Sequence, residues 1–170
     1  MSNVQPIIKW AGGKRKLAPL ISNIVKEDLP NCNTYIEPFF GGGAVYFDLH
    51  NNQLFKNAYV NDIVPQLVSF YKTIAQTNNV EEFYEKISDQ LDDFNSLDTK
   101  EKRQDFFYDI RNNFNNLWVN EDVVTPSVTE LNEEDSFKSA VLLYVLNRTC
   151  FNGLFRVNKK GGFNVPLGSY

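Results

Sequence analysis

The sequence TYIEPFFGGGAVYFDL, residues 34–49, places three consecutive glycines between a run typical of a short strand and a run with helical periodicity. Glycine at such a junction lets the backbone approach a ligand closely, and the N-terminus of the following helix presents free N–H groups. We therefore predict a strand at residues 34–37, a loop over Gly41, Gly42 and Gly43, and a helix that begins near Ala44. A flexible strand-to-helix turn without a ligand is the alternative explanation.

The segments around this junction repeat the same order of elements. Residues 57–62, NAYVND, predict a second short strand that ends at Asn61 and Asp62, and a helical pattern follows it. Another helix is predicted to begin at Lys14. This alternation of strands and helices favours a parallel α/β sheet. The predicted apolar faces of the two helices are Leu17, Leu20, Ile21, Ile24 and Val25, and Val64, Leu67, Val68, Tyr71 and Ile74.

The second half of the chain is predicted to be mainly helical. Helical patterns cover residues 81–95 and 101–118, an acidic loop covers residues 119–135 with a cap at Asp135 or Ser136, and one more amphipathic helix follows. The final FRVNKKGGFNVPLG alternates apolar and polar residues on both sides of Lys-Lys-Gly-Gly, which predicts a β-hairpin with a basic tip. The expected core positions of the helices are Phe83, Ile87, Leu91, Phe94, Phe106, Ile110, Leu117, Phe137, Ala140, Val141, Tyr144 and Val145.

The composition is typical of a globular protein. Of the 170 residues, 42% are hydrophobic and 14% are aromatic, and no apolar run approaches the roughly 20 residues that a membrane span needs. The first residues show no secretory signal, so a cytoplasmic protein is expected. Cys32 and Cys150 lack the spacing of metal ligands, so no metal site is expected.

The charge is distributed unevenly along the chain. The formal net charge is -4, yet residues 1–26 and 136–170 contain basic side chains and no acid. If the two ends meet in the fold, they form a positive surface suited to a polyanion such as a nucleic acid. Two separate, solvated basic surfaces are the alternative.

Asp62 stands at the end of the second predicted strand, where nucleotide-binding folds hydrogen-bond ribose hydroxyls. Dinucleotides and adenosyl compounds are then the two candidate ligand classes. The dinucleotide fingerprint G-x-G-x-x-G fails, because counting from Gly41 its last position is Tyr46. A phosphate-binding P-loop fails as well, because the residue after the Gly-Lys pair at 13–14 is arginine. The pattern that remains is F-x-G-x-G over residues 39–43.

Four blocks of the sequence together resemble the Dam-type, DpnM-like DNA adenine-N6 methyltransferases of the D12 class. The blocks are KWAGGK, EPFFGGGA, Asn61-Asp62 and the final NRTCFNGLFRVNKKGGFNVPLGSY, and they occur in family order over nearly the whole chain. The resemblance implies an α/β, Rossmann-like S-adenosylmethionine-dependent methyltransferase sheet, present in part. It implies that residues 1–77 are the N-terminal part of the cofactor-binding domain, and that residues 78–170 form a helical target-recognition region ending in a β-hairpin.

The resemblance also implies a site for S-adenosylmethionine in the first three blocks. Trp10 would line the pocket, Lys14 would face the methionine carboxylate and Asp62 would bind the ribose hydroxyls. Phe39 would pack with the glycine loop along the methionine end. The cofactor-binding residues that we predict are Trp10, Lys14, Glu37, Pro38, Phe39, Gly41, Gly43 and Asp62.

The last block resembles the hairpin with which this family recognises duplex DNA. An arginine can donate two parallel hydrogen bonds to guanine O6 and N7, so Arg156 is the predicted base reader. Phe151 would help to fill the gap that a flipped adenine leaves, and Lys159 and Lys160 would meet phosphates. The predicted DNA-binding residues are Lys9, Arg111, Phe151, Asn152, Leu154, Arg156, Asn158, Lys159 and Lys160.

The Asp-Pro-Pro-Tyr motif with which the family activates adenine N6 is absent from the sequence, so catalytic residues stay unassigned. The expected function is methyl transfer to adenine in duplex DNA, at GATC, by an enzyme of which this chain is a truncated form, inactive alone. A non-catalytic DNA-binding or regulatory remnant is the alternative. A nicotinamide-dependent oxidoreductase is disfavoured because Tyr46 breaks the dinucleotide-binding fingerprint. A cognate restriction endonuclease is an expected functional partner.

Overall fold

The computed structural model describes residues 3–78, 80–119 and 131–169. Over these residues the protein is a mixed α/β structure with six α-helices and a parallel two-stranded sheet, which confirms the predicted α/β class. The elements in chain order are α1 (Ala18–Asp28), β1 (Thr34–Glu37), α2 (Ala44–Asn51), β2 (Asn57–Val60), α3 (Pro65–Gln76), α4 (Val80–Ser96), α5 (Lys100–Trp118) and α6 (Glu133–Thr149), followed by a 3₁₀ turn, Phe151–Gly153.

The chain divides into two compact units, the first ending at Val64 and the second beginning at Pro65. Helix α3 therefore belongs to the second unit, where it packs against α6. The functional boundary between residues 77 and 78 stays a prediction.

The sheet of the first unit places the glycine loop at the carboxyl edge of both strands. Strands β1 and β2 pair in parallel, with Thr34 opposite Asn57 and Glu37 opposite Val60. The pairing continues beyond the strands, because Asn61 N–H donates to the Glu37 carbonyl and Phe40 N–H donates to the Asn61 carbonyl, each at 2.9 Å. The loop that follows Phe40 therefore starts directly at this edge.

Helices α1 and α2 pack against each other beside the sheet. Their buried contacts are made by Ala18, Val45 and Leu49. The predicted apolar face of α1 is wrong in part, because Leu17, Leu20 and Ile24 are exposed. The buried side of α1 contains Ser22, whose hydroxyl donates to the Asp48 carboxylate on α2.

The predicted first residue of α1 is also wrong. The helix begins at Ala18, with Pro19 in its first turn. The cations Lys14, Arg15 and Lys16 therefore precede the helix and lie on the segment that leads into it. Proline is tolerated at this position because the first N–H groups of a helix have no partner within the helix.

Helix α6 is the centre of the second unit, where α3, α4 and α5 all pack against it. It is buried along most of its length, including Ser139 and Asn147. Aromatic rings fill the space around it, and those almost fully buried are Phe70, Phe83, Phe94, Phe107, Phe114 and Phe163.

Three sequence predictions for this unit need correction. The buried face of α5 is Phe107, Ile110 and Phe114, whereas the predicted Phe106 and Leu117 are half-buried. The face of α3 contains Phe70, which the predicted stripe omitted. The N-cap of α6 is Asn132, whose side-chain oxygen accepts from Asp135 N–H at 2.8 Å, so the predicted cap at Asp135 or Ser136 is wrong. Residues 120–130 of the predicted acidic loop lie outside the described residues.

The predicted hairpin is present as a narrow antiparallel ribbon rather than as two regular strands. Val157 forms an isolated bridge with Phe163, and Cys150 forms another with Leu167. Phe163 and Val165 are buried, whereas Val157 is exposed. The ribbon therefore presents one side of its first arm to solvent.

None of the described helices is both long enough and apolar enough to span a membrane.

Candidate functional site

Asp62 fixes the glycine loop to the end of β2. One oxygen of its carboxylate accepts from Gly41 N–H at 2.8 Å, and the other accepts from Val64 N–H at 3.0 Å. Gly41 and Gly43 adopt φ angles of +55° and +74°, a region that L side chains rarely occupy. The loop thus takes a conformation that needs glycine, and a half-buried carboxylate holds it there.

Trp10 lies directly against this loop. A Cβ atom built on Gly41 would sit 3.0 Å from Trp10 Cδ1, and one built on Gly42 would sit 3.2 Å from Trp10 Cβ. The Trp10 carbonyl accepts from Gly13 N–H at 3.2 Å, which turns the chain between Trp10 and Lys14. A half-buried aromatic side chain and a bare glycine backbone therefore adjoin at the carboxyl edge of the sheet.

Glu37, the last residue of β1, is a buried carboxylate with two polar neighbours. The Tyr35 hydroxyl donates to Glu37 Oε2 at 2.7 Å, and Lys14 Nζ lies 3.8 Å from Glu37 Oε1. Burial raises the pKa of Glu37, although the Tyr35 hydrogen bond and the Lys14 charge oppose that rise. Burial and the adjacent carboxylate also raise the pKa of Tyr35.

The first unit therefore brings together Trp10, Lys14, Glu37, the glycine loop and Asp62. Pro38 and Phe39 follow β1 with their side chains exposed, and 73% of Phe39 is accessible to solvent. Lys9 is also exposed, next to Trp10 in sequence. The binding roles predicted for these residues stay predictions. Within the described residues, no group of three or more His, Cys, Asp or Glu side chains could hold a metal ion.

In the second unit, the turn after α6 displays Phe151. Asn152 and Gly153 both adopt left-handed conformations, with φ of 55° and 63°. The buried Asn147 side chain donates to the Gly153 carbonyl at 3.0 Å, and Phe151 N–H donates to the Pro166 carbonyl at 2.9 Å. These bonds hold a turn from which Phe151 projects, 45% exposed.

The antiparallel ribbon presents Arg156, Lys159 and Lys160 to solvent. Asn158 is exposed as well, and its side-chain oxygen accepts from Lys160 N–H at 2.9 Å and from Gly162 N–H at 3.1 Å. It therefore shapes the tip of the ribbon. The predicted contacts of these residues with DNA stay predictions.

Two other predicted DNA-binding residues are less accessible. Leu154 is half-buried. The Arg111 guanidinium carbon lies 4.3 Å from the centre of the Tyr108 ring, and Arg111 Nε is buried without a hydrogen-bond partner among the described residues. The Tyr108 ring thus packs against the Arg111 guanidinium in a cation–π contact.

Sequence reasoning missed Tyr35, Asn115 and Asn164. Tyr35 and Glu37 lie two residues apart in a strand, so the strand period could have placed them on one face. Pairing Val157 with Phe163 sets Asn164 opposite Arg156, which a hairpin register could have given. Asn115 carried no local signal, because its partner Phe163 is 48 residues away in sequence.

The strand, the glycine loop with its carboxylate and the adjoining tryptophan define an α/β unit with a candidate nucleotide-type site. The family profile of the D12 class N6 adenine-specific DNA methyltransferases matches residues 10–170. The chain belongs to this family, which confirms the resemblance predicted from the four blocks.

Several curated proteins are similar to the chain over its whole length. The type II methyltransferase M.MjaIII of Methanocaldococcus jannaschii is 41% identical over 169 residues, which cover 98% of this chain and 53% of that protein. The type II methyltransferase M.CviBI of Paramecium bursaria Chlorella virus NC1A is 32% identical, with 98% and 51% covered. A DNA adenine methylase of Vibrio cholerae is 33% identical, with 100% and 50% covered. The chain spans about half the length of the curated relatives it matches.

Proposed function

We propose that this chain supplies the cofactor-binding residues and a DNA-contacting surface of an enzyme that methylates adenine N6 in duplex DNA with S-adenosylmethionine. The observation that carries the proposal is the pair of hydrogen bonds from Gly41 and Val64 to Asp62, beside Trp10, in a chain of this family. The names of the relatives, DNA adenine methylase and type II methyltransferase, support the same reaction.

The residues at the carboxyl edge fit an adenosyl compound. Each oxygen of the Asp62 carboxylate accepts one backbone N–H and retains a lone pair that a ribose hydroxyl can use. Trp10 lies in the space that side chains at Gly41 and Gly42 would occupy, so the two glycines allow the loop backbone to lie directly against the tryptophan. When bound, S-adenosylmethionine supplies a methyl group on a sulfonium sulfur.

Lys14 and Glu37 fit the amino-acid end of the same compound. A methionyl group carries one carboxylate and one ammonium, and Lys14 and Glu37 offer one cation and one anion at 3.8 Å from each other. Tyr35 holds the Glu37 carboxylate by a hydrogen bond and so orients it. In this proposal these residues bind and orient the methionyl group, and no residue of the chain is assigned a catalytic role.

The second unit supports a surface for duplex DNA. Arg156, Lys159 and Lys160 are exposed cations on one ribbon, and Phe151 is an exposed ring on a rigidly held turn. Cations bind phosphates and release counterions, and an arginine can read guanine in the major groove. Whether the basic segments 1–26 and 136–170 join in one positive surface stays a prediction.

Three finer proposals follow from family membership. The two-stranded sheet is proposed to be part of a Rossmann-like methyltransferase sheet. GATC is kept as the proposed target on the resemblance of the sequence to the Dam-type enzymes. A cognate restriction endonuclease is the proposed functional partner, because two of the relatives are named type II methyltransferases.

Titration calorimetry with S-adenosylmethionine tests the cofactor site. We expect the chain to bind the cofactor and D62N to bind it about tenfold more weakly or worse, because the amide loses one acceptor oxygen and its charge. D98N is the matched control, since the exposed Asp98 forms a 2.8 Å surface ion pair with Lys102 and should leave affinity unchanged. Equal affinity of D62N and the unsubstituted chain would contradict the assigned role of Asp62.

The same calorimetry separates the two candidate functions. An enzyme of the proposed kind binds both S-adenosylmethionine and duplex DNA. Binding of a GATC duplex without any binding of S-adenosylmethionine would favour a non-catalytic DNA-binding or regulatory module instead. Binding of a nicotinamide dinucleotide in place of S-adenosylmethionine would reject the methyltransferase proposal for this site.

A further inference from the structure

We propose that Asn164 is a specificity-positioning residue that orients the Arg156 guanidinium for base recognition before DNA binds. The inference rests on the proposed contact between the ribbon and duplex DNA. It adds a residue that works through Arg156 rather than by contact with the DNA.

Two hydrogen bonds join the Arg156 side chain to Asn164 across the ribbon. Arg156 Nε donates to Asn164 Oδ1 at 2.8 Å, and Arg156 Nη2 donates to the Asn164 carbonyl at 3.2 Å. The backbones are joined as well, since Asn164 N–H donates to the Arg156 carbonyl at 3.0 Å. An exposed arginine is therefore held in one orientation by its cross-strand neighbour.

The two hydrogen bonds to Asn164 leave free those guanidinium donors that can bind guanine. A guanidinium has five N–H donors, of which Asn164 takes two. Both Nη1 hydrogens and one Nη2 hydrogen remain, and adjacent donors of this kind match guanine O6 and N7. Among the described residues no carboxylate forms an ion pair with Arg156, so the neutral Asn164 amide orients the cation and leaves its charge intact.

Asn164 is itself fixed through its neighbour in the chain. Phe163 is buried, and its backbone N–H donates to Asn115 Oδ1 at 2.7 Å while its carbonyl accepts from Asn115 Nδ2 at 3.1 Å. The Phe163 ring packs edge-on against Phe114 of the same helix α5. Helix α5 thus fixes the second arm of the ribbon. Asn164, which lies on that arm, fixes Arg156 on the first arm through its hydrogen bonds.

The energetic reason is the rotamer entropy of arginine. A free arginine side chain has many rotamers and loses conformational freedom when it binds a base, at a cost in free energy that opposes binding. Hydrogen bonds that restrict the side chain beforehand reduce that cost. Because they fix the direction of the remaining donors, we expect the gain to fall on base discrimination rather than on general affinity.

The test compares N164A, R156A and the double variant for binding to a pool of duplex oligonucleotides with randomised central bases, followed by sequencing of the bound fraction. We expect R156A to lose preference for guanine at one position by roughly tenfold or more. N164A should reduce preference at that same position by about two- to tenfold. The double variant should match R156A, because Asn164 acts through the arginine.

Two further variants separate positioning from folding and from charge. K159A should weaken binding to all sequences equally and leave guanine preference unchanged, because a phosphate contact carries no sequence information. N164D keeps an oxygen that can accept from Arg156 Nε, so it should retain more guanine preference than N164A, while its negative charge pairs with Arg156 and lowers affinity for every sequence. Equal loss on all sequences in N164A, or an added loss of preference in the double variant over R156A, would overturn the positioning role.

Hydrogen exchange at Arg156 Nε, followed by NMR in the chain without DNA, distinguishes this inference from the function on which it rests. We expect protected exchange in the unsubstituted chain and rapid exchange in N164A. Rapid exchange in both would overturn the positioning role even if the chain prefers guanine. Protected exchange in a chain with no base preference would overturn the proposed base reading by Arg156, and with it the role of Asn164 in specificity.

Discussion

Replacing Gly43 by alanine should lower the free energy of unfolding by about 2–5 kcal/mol. Gly43 is the N-cap of α2 and adopts a φ of +74°, which costs an L residue about 1–2 kcal/mol. The added Cβ would also lie 2.6 Å from Phe40 Cζ and 2.9 Å from Phe47 Cε2. These rings have little room to move, because Phe40 is buried and packs against Tyr46 and Phe47. Overpacking of this kind adds about 1–3 kcal/mol.

Gly12 provides the matched control for Gly43. Its φ is +73°, and a Cβ built on it meets no atom within 4 Å. Urea unfolding of G12A should therefore show a loss of about 1–2 kcal/mol from backbone strain alone. The difference between the two variants measures the clash with Phe40 and Phe47. Equal losses in G43A and G12A would show that the rings accommodate the methyl group.

Replacing Asn115 by leucine should lower the free energy of unfolding by about 2–6 kcal/mol. The Asn115 amide makes two hydrogen bonds to the backbone of Phe163, at 2.7 and 3.1 Å. Leucine branches at Cγ as asparagine does but cannot donate or accept, so one N–H and one carbonyl of a buried residue lose their partners. Each unsatisfied buried group costs about 1–3 kcal/mol.

The neighbouring Asn116 is the control for this substitution. It lies on the same helix α5 and is exposed, so N116L changes helix propensity equally without removing a bond to the ribbon. Thermal and urea unfolding should show N116L within about 0.5 kcal/mol of the unsubstituted chain. If N115L is as stable as N116L, the ribbon does not depend on the Asn115 amide.

Local patterns in the sequence placed several elements accurately. The strand predicted at residues 34–37 and the helix predicted to open near Ala44 have those bounds in the structure. The helices predicted at 81–95 and 101–118 are α4 and α5, shifted by no more than one residue at each end. These elements are set by strand and helix periodicity and by glycine, all of which act between residues close in sequence.

The buried face of α1 could not be read in the same way. Its apolar residues form one stripe, but the side that is buried is rotated from this stripe toward Ser22, which leaves Leu20 and Ile24 exposed. The side of α1 that is buried is determined by its packing against α2, through Ala18 and the hydrogen bond between Ser22 and Asp48. The partner helix is therefore needed to identify the face.

In the candidate site as well, the sequence identified residues but not the contacts between them. The sequence identified Asp62 from its position at a strand end, and Trp10, Lys14 and Glu37 from the resemblance. It did not show that Asp62 binds the glycine loop, 21 residues away in sequence, because that bond depends on the parallel pairing of β1 and β2.

The order of residues was enough to establish the family, the glycine junction and a basic ribbon near the end of the chain, because motifs and periodicities are properties of neighbouring residues. The folded chain added the attachment of Asp62 to the loop, the clamp from Asn115 to Phe163 and the orientation of Arg156 by Asn164. Each of these is a hydrogen bond with strict limits on distance and angle. Such bonds form only after the fold has brought the separate segments into contact, so a sequence pattern does not specify them.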